Sequence, residues 1–148
     1  MKIDDSFEVA APLVTVWPIL CDIPRVATCI PNAEITEKID DTHYKAKVSI
    51  KVGPVAVSYR VALTVKSIDE ATHTATIDVQ GDELRGRGGV KATVISSVTE
   101  SDGKTRVMLG TDAQISGVIA TIGGRLIEGV AKKTVAEFAA NLEKIIQA

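Results

Sequence analysis

Apolar and polar residues alternate, with few interruptions, from Ala33 to Ile115. A two-residue period places successive side chains on opposite faces of a β-strand, so this stretch predicts a sheet with one buried face and one solvated face. That division is typical of antiparallel sheets, because both faces of a parallel sheet are usually covered. Turn signals, of which Asp102-Gly103 is the strongest, divide the stretch into about six strands.

Helical patterns stand on both sides of this stretch. After a short predicted strand, Ser6 to Ala10, Pro12 and apolar residues at helical spacing predict a first short helix. Asp22 is placed to cap a second one, Ile23 to Cys29. From Ser116 to Ala148, apolar residues recur at helical intervals and predict one long amphipathic helix. The sequence therefore predicts an α+β fold, in which a curved antiparallel sheet of about seven strands wraps around a long C-terminal helix and two short helices follow the first strand.

The long predicted helix is apolar on two sides in its first half. A second apolar stripe lies beside the main one and becomes polar further along: Ile119, Ile122, Leu126 and Val130. Gly123 and Gly124 fall in this half, where glycine weakens a helix and leaves room beside the backbone. The double glycine indicates either close packing of the helix on the sheet or the wall of a cavity. A sheet curved around such a helix leaves an elongated space between the two.

Composition narrows the class of protein. A chain of 148 residues with 45% hydrophobic content predicts a single domain, residues 1–148. The formal net charge of -2 offers no electrostatic basis for binding nucleic acid. The acidic N-terminal residues do not resemble a secretion signal, and no apolar run approaches the ~18 residues of a membrane span, so we expect a cytoplasmic protein. Cys21 and Cys29 have no histidines nearby, and we expect no metal and no cofactor.

Short motifs distributed along the chain carry a family resemblance. In chain order they are Trp17 with Asp22, Cys29-Ile30-Pro31-Asn32-Ala33-Glu34, Lys51-Val52-Gly53-Pro54-Val55, Gly86-Arg87-Gly88-Gly89, and Gly124 to Ala131 with Phe138 and Leu142. With the order of predicted elements, they make the chain resemble the carbon monoxide dehydrogenase G-subunit family of the START-like (SRPBCC) helix-grip superfamily.

The resemblance implies a helix-grip fold and a function. It implies a non-catalytic protein that binds an apolar small molecule, a quinone or another lipid, between sheet and helix, and that serves a carbon monoxide dehydrogenase or a related molybdenum hydroxylase. It also implies peripheral contact with the inner face of the membrane. Members of the family often reach the membrane through a tail beyond the long helix, and this chain ends at Ala148, so we expect that anchor to be absent.

The expected ligand site lies between the second apolar stripe and the buried face of the sheet, with Trp17 near one end. Tyr44 and Tyr59 carry hydroxyls that need a partner when buried, which a ligand carbonyl, a backbone group or a water can supply. The predicted ligand-binding residues are Trp17, Tyr44, Val48, Tyr59, Val61, Leu63, Ile77, Leu109, Ile119, Ile122, Gly123 and Leu126.

No catalytic residue is predicted. His43 and His73 lie beside acidic turns, where a histidine is usually solvated. Arg85 and Arg87 are interpreted as contacts to an acidic partner surface, and the alternative is a pair of solvated charges beside a hairpin.

Two other functions remain open at this point. A cyclase or dehydratase needs an acid or base in the cavity, which Asp112 and Arg60 supply only if a β-bulge shifts their strands by one residue. A maturation or membrane-recruitment module without a ligand would have a filled core. The sequence does not predict the oligomeric state.

Overall fold

The computed structural model describes residues 1–147 and has the predicted α+β helix-grip architecture. All seven strands belong to one antiparallel sheet, in the order β1-β7-β6-β5-β4-β3-β2. Along the chain the elements are β1 (Lys2–Val9), α1 (Leu13–Leu20), α2 (Ile23–Ala27), β2 (Ala33–Lys38), β3 (His43–Val52), β4 (Val55–Asp69), β5 (Thr74–Glu83), β6 (Gly89–Ser101), β7 (Lys104–Ile115), a 3₁₀ helix (Ile119–Ile122) and α3 (Gly124–Gln147).

Strands β2 to β7 form a meander, and β1 pairs with β7 at the far edge. The β1–β7 pairing runs from Lys2 opposite Asp112 to Val9 opposite Thr105. The N-terminal ammonium of Met1 extends it by donating to the carbonyl of Ala113 at 2.8 Å. The first strand therefore lies beside the last one, directly before the chain enters the helical segment.

The first strand is longer than predicted. It begins at Lys2, whereas the alternation of residues predicts a start at Ser6. Ile3, Asp5 and Phe7 occupy alternate positions of the strand, and the polar Asp5 breaks the alternation of apolar residues. The pattern of residues therefore does not predict this part of the strand. Backbone hydrogen bonds to β7 hold the segment extended regardless of the side chain at position 5.

The prediction of one helix from Ser116 onward is wrong, because Gly123 separates two helices. Its φ of 103° lies in a region that other residues rarely adopt, so the chain changes direction between the 3₁₀ helix and α3. The double glycine therefore lies at the junction, where Gly123 separates the two helices and Gly124 is the first residue of α3. The predicted second stripe is divided as well: Ile119 and Ile122 belong to the 3₁₀ helix, and Leu126, in the first turns of α3, is 49% exposed.

Helix α3 lies along β1. The rings of Phe7 and Phe138 meet edge to face with centroids 5.6 Å apart. Near the end of the strand, Glu143 accepts a hydrogen bond from the amide of Ala10 at 3.0 Å. A Cβ on Gly124, at the start of the helix, would come within 2.9 Å of the Met1 side chain. Strand and helix thus run in the same direction, side by side along one border of the sheet.

Replacing Gly123 and Gly129 by alanine, one at a time, tests the junction and the helix separately. Gly123→Ala forces a side chain into a left-handed backbone and should destabilise the fold by about 1–3 kcal/mol. Gly129→Ala lies inside α3 with nothing within 4 Å of the new Cβ, and should stabilise the fold by up to ~1 kcal/mol. Urea unfolding of both variants checks the signs. A continuous helix through position 123 would instead give stabilisation in both.

Candidate functional site

The inner face of the sheet, the one turned toward the helices, can be read from the strand register. Ile3 on β1 pairs with Thr111, which pairs with Val94 on β6, and Val94 pairs with Ile77 on β5. These four side chains form one row across the inner face, and all are half-buried. The next row along the strands consists of Asp5, Leu109, Ser96 and Ala75.

Packed side chains fill the two ends of the space between sheet and helices. At one end the core is built around Ala46, Val52, Val57, Tyr59, Val61 and Ile119. At the other end there are two clusters, and Phe7 and Leu20 pack against both. The buried residues of the first are Val9, Ala11, Val16, Ile19, Cys29 and Leu142. Those of the second are Trp17, Val98 and Val107. Along α3, Ile127 joins the first end and Phe138 the second.

Between these ends the apolar side chains of both walls belong to no cluster. We call this region the central gap and define it by Ile3, Ile77 and Val94 on the sheet and Ala131 and Val135 on α3. All five are half-buried although they lie on inward positions. Because α3 packs mainly against β1, it makes few close backbone contacts with β5, β6 and β7. The central gap is therefore the candidate ligand site.

The structure distributes the predicted ligand-binding residues over three places. Only Ile77 lines the central gap itself. Trp17 and Leu109 stand at one end of it, and Gly123 and Leu126 are exposed. The remaining aliphatic residues and Tyr59 pack against one another in the cluster at the other end: Val48, Val61, Leu63, Ile119 and Ile122.

The two tyrosines differ in what their hydroxyls reach. Tyr44 donates to the carbonyl of Asp41 at 3.3 Å, so it is turned toward the β2–β3 turn and already has a partner. Tyr59 is only 3% exposed and makes no side-chain hydrogen bond to residues 1–147. No side-chain nitrogen or oxygen in that range is both fully enclosed and unpaired, so the Tyr59 hydroxyl borders accessible space. Burial, with a smaller contribution from Glu83, raises the pKa of Tyr59.

Trp17 closes the end of the space that faces the β4–β5 turn. Its indole nitrogen donates to the carboxylate of Glu70 at 2.6 Å, and its ring meets His73 edge to face with centroids 5.1 Å apart. These contacts join α1 to the turn between β4 and β5. Trp17, which is predicted to lie near one end of the site, thus stands at one end of the space between sheet and helices.

The loop after β5 is organised by a buried carboxylate. The side chain of Glu83 is 2% exposed and accepts from the backbone amides of Arg85 and Arg87, both at 3.1 Å, and from the Arg87 guanidinium at 2.9 Å. The hydrogen bond from Arg87 is the main cause that lowers the pKa of Glu83. Arg87 is thus engaged within the chain, whereas Arg85 is exposed and remains able to contact a partner.

Sequence reasoning missed Asp5, because it placed the start of β1 one residue too late to include it. In the structure Asp5 points inward, opposite Leu109 and beside the central gap. If Ile3 and Phe7 are taken as inward residues of one strand, Asp5, which lies between them at the same two-residue spacing, is also predicted to point inward. Asp112 and Arg60 lie on the outer phase and are exposed. The two bulges, between Ile35 and Glu37 and between Val65 and Ser67, do not turn them inward.

A shallow concavity of about 380 Å³ lies on the opposite, outer face of the sheet. Its polar groups bind one another: Asp78 accepts from Thr93 at 2.9 Å and faces the Lys66 ammonium at 3.8 Å. Such a surface does not suit an apolar ligand. Within residues 1–147, no three side chains that could bind a metal converge, and no helix is long and apolar enough to cross a membrane.

Removing the charge of Glu83 tests its role in the loop. Since the pKa of Glu83 is lower in the folded protein than in the unfolded chain, its contribution to stability is present above the unfolded pKa and is lost as the pH falls through the folded value. Glu83→Gln should therefore lower stability near pH 7 and flatten its decline below about pH 4.5. Urea unfolding from pH 7 to pH 3 measures both. An unchanged acid dependence would contradict this role.

Comparison with known proteins agrees with the geometry. A crystal structure of a conserved protein from Geobacillus kaustophilus superimposes with a TM-score of 0.87 at 27% identity, over 99% of this chain and 95% of the other. Two further structures share the fold. The Zhui aromatase/cyclase from Streptomyces sp. R1128 superimposes with a TM-score of 0.67 at 14% identity, over 99% of this chain and 93% of the other. A START superfamily protein from Mycobacterium smegmatis superimposes with a TM-score of 0.62 at 16% identity, over 99% of this chain and 97% of the other. No curated protein sequence matches significantly. The model of the carbon monoxide dehydrogenase G-subunit family (CoxG) matches residues 6–147, and the chain belongs to this family.

Proposed function

We propose that this protein binds an apolar ligand, a quinone or another lipid, in the central gap, without catalysing a reaction. The observation that carries the proposal is the divided core, in which apolar side chains at inward positions of sheet and helix belong to neither packed end. Protein interiors are normally packed as densely as organic crystals, whereas Ile77 and Val94 on the inner face are only half-buried. An apolar ligand would cover them.

Apolar burial supplies the main driving force for binding. Each buried CH₂ contributes about 0.8 kcal/mol, so a chain of about ten carbons gains about 8 kcal/mol before association costs. Without those costs this free energy corresponds to a dissociation constant near micromolar, and a longer chain offsets part of them.

Membership of the CoxG family supports an accessory role for a carbon monoxide dehydrogenase or a related molybdenum hydroxylase. The exposed Arg85, beside the loop that Glu83 orders, is a candidate contact to an acidic surface of that enzyme. We place the protein in the cytoplasm, at the inner face of the membrane from which a lipid ligand would be taken.

An enzymatic function of the cyclase type is the second candidate, and Asp5 is the observation that favours it. One structural relative is an aromatase/cyclase, and Asp5 is a carboxylate beside the gap. However, the nearest inward neighbours of Asp5 on the sheet are Ile3, Phe7 and Leu109, which cannot transfer a proton. A maturation or recruitment module without ligand is the third candidate.

Analysis of the bound ligand distinguishes these functions. The protein is purified from its own cells, extracted with organic solvent and examined by mass spectrometry, and the extracted protein is titrated with decylubiquinone while Trp17 fluorescence is followed. We expect a stoichiometric lipid or quinone and saturable binding. Recovery of no ligand together with no binding would defeat the proposal.

Filling the gap provides a structural test. Val94→Phe places a ring in the middle of the gap, and should weaken decylubiquinone binding at least about tenfold while the fold stays as stable, because the ring occupies unfilled space. Ile95→Phe is the matched control, since Ile95 is on the outer face and 47% exposed. If the core is already filled, overpacking by Val94→Phe destabilises the protein by about 1–3 kcal/mol in urea unfolding, and the ligand-free module is favoured.

A further inference from the structure

Three polar side chains stand together on the inner face, at the edge of the central gap. They are Asp5 on β1, Ser96 on β6 and Thr111 on β7, and all are half-buried. No hydrogen bond or ion pair to residues 1–147 involves any of these side chains, although none is fully enclosed and unpaired. Their polar atoms therefore open onto accessible space. We call this group the polar patch.

The strand register gives the spacing of the polar patch. Asp5 is directly opposite Leu109, and Leu109 is directly opposite Ser96. With neighbouring strands about 4.8 Å apart, the Cα atoms of Asp5 and Ser96 are roughly 10 Å apart in the sheet. Thr111 lies between them, one inward position along β7, in the same row as Val94. Leu109 stands in the same row between Asp5 and Ser96, so a ring of six carbons with an oxygen at each end would lie over Leu109 with its oxygens toward these two groups.

Within residues 1–147, no cation and no hydrogen-bond donor satisfies the carboxylate of the polar patch. On α3, the helix that lies along β1, the hydroxyl of Thr134 is already used, because it donates to the carbonyl of Val130 at 2.8 Å. Ser and Thr hydroxyls can donate or accept, whereas an ionised carboxylate only accepts. The group that would complete this site is a hydrogen-bond donor.

We propose that the polar patch binds the head group of the ligand and selects head groups that carry hydroxyl donors. This rests on the proposed function, binding of an apolar ligand in the central gap. For a ligand of the quinone class, Asp5 favours the hydroquinone, whose two O–H groups donate, over the quinone, whose two carbonyls only accept. The protein would then carry the reduced form in preference to the oxidised one. No electron transfer is assigned to this chain.

The magnitude of the preference follows from the hydrogen bond that is gained or lost. A hydrogen bond to a charged group is among the strong ones, and an acceptor placed against a carboxylate leaves both unsatisfied. We expect the hydroquinone to bind at least about tenfold more tightly than the quinone. The apolar wall around Val94 contributes equally to both forms, because apolar burial is not directional.

Anaerobic equilibrium dialysis measures this preference. The probes are 2-decyl-1,4-benzoquinone and the hydroquinone obtained from it by reduction, each quantified by chromatography on both sides of the membrane. The wild-type protein should bind the hydroquinone at least about tenfold more tightly. Asp5→Ala should bind both forms with similar affinity. Asp5→Asn, which keeps the shape and offers an N–H₂ donor, should shift the preference toward the quinone.

Asp4→Asn is the control, because Asp4 is adjacent in sequence but lies on the outer, exposed phase of β1. It should keep the wild-type ratio. Equal affinity of the wild type for the two forms, or an unchanged ratio in both Asp5 variants, would overturn the polar patch and leave ligand binding in place. If neither form binds to the wild type or to Asp4→Asn, both the polar patch and the proposed function fail.

Discussion

The pairing of β1 with β7 determines where the interior of this protein can be filled. Through this pairing, the N-terminal strand forms the edge of the sheet beside β7, the strand that the helical segment follows in the chain. Helix α3 then packs along β1, with Phe7 against Phe138 and Ala10 bonded to Glu143. Away from β1, the close contacts of the helix are with β3 and the 3₁₀ helix, so few of them reach the middle of β5, β6 and β7.

The distribution of large side chains follows from this geometry. The chain has one Trp, two Tyr and two Phe, and the structure places them toward the ends of the space between sheet and helices: Phe7, Trp17 and Phe138 toward one, Tyr44 and Tyr59 toward the other. Aromatic side chains bury the most area per residue and would be the natural filling of a wide interior. The centre is instead lined by aliphatic and small side chains that join neither end cluster. The ends are packed, and the centre is where we propose that the ligand binds.

Much of the fold could be predicted from the alternation of residues, because each strand pair buries one face and exposes the other. The strands from Ala33 to Ile115, the hairpin at Asp102-Gly103 and the two short helices follow from local sequence. Two features were not predictable in this way. Pairing with β7 holds Lys2 to Asp5 extended, and the left-handed backbone of Gly123 ends the 3₁₀ helix before α3 begins. Both errors concern the site: the first hid Asp5, and the second placed Leu126 inside.

Affinity and selectivity therefore have different origins in this site. Burial against Ile77 and Val94 rewards any apolar ligand of suitable size, and it distinguishes poorly between ligands that differ by an oxygen or a hydrogen. Discrimination between such ligands needs polar groups that form hydrogen bonds with one ligand and not with another, because a buried polar group without a partner costs free energy. On the inner face of this sheet those groups are few and lie together. In the proposed site, the apolar gap would supply affinity, and Asp5 would decide which head group is accepted.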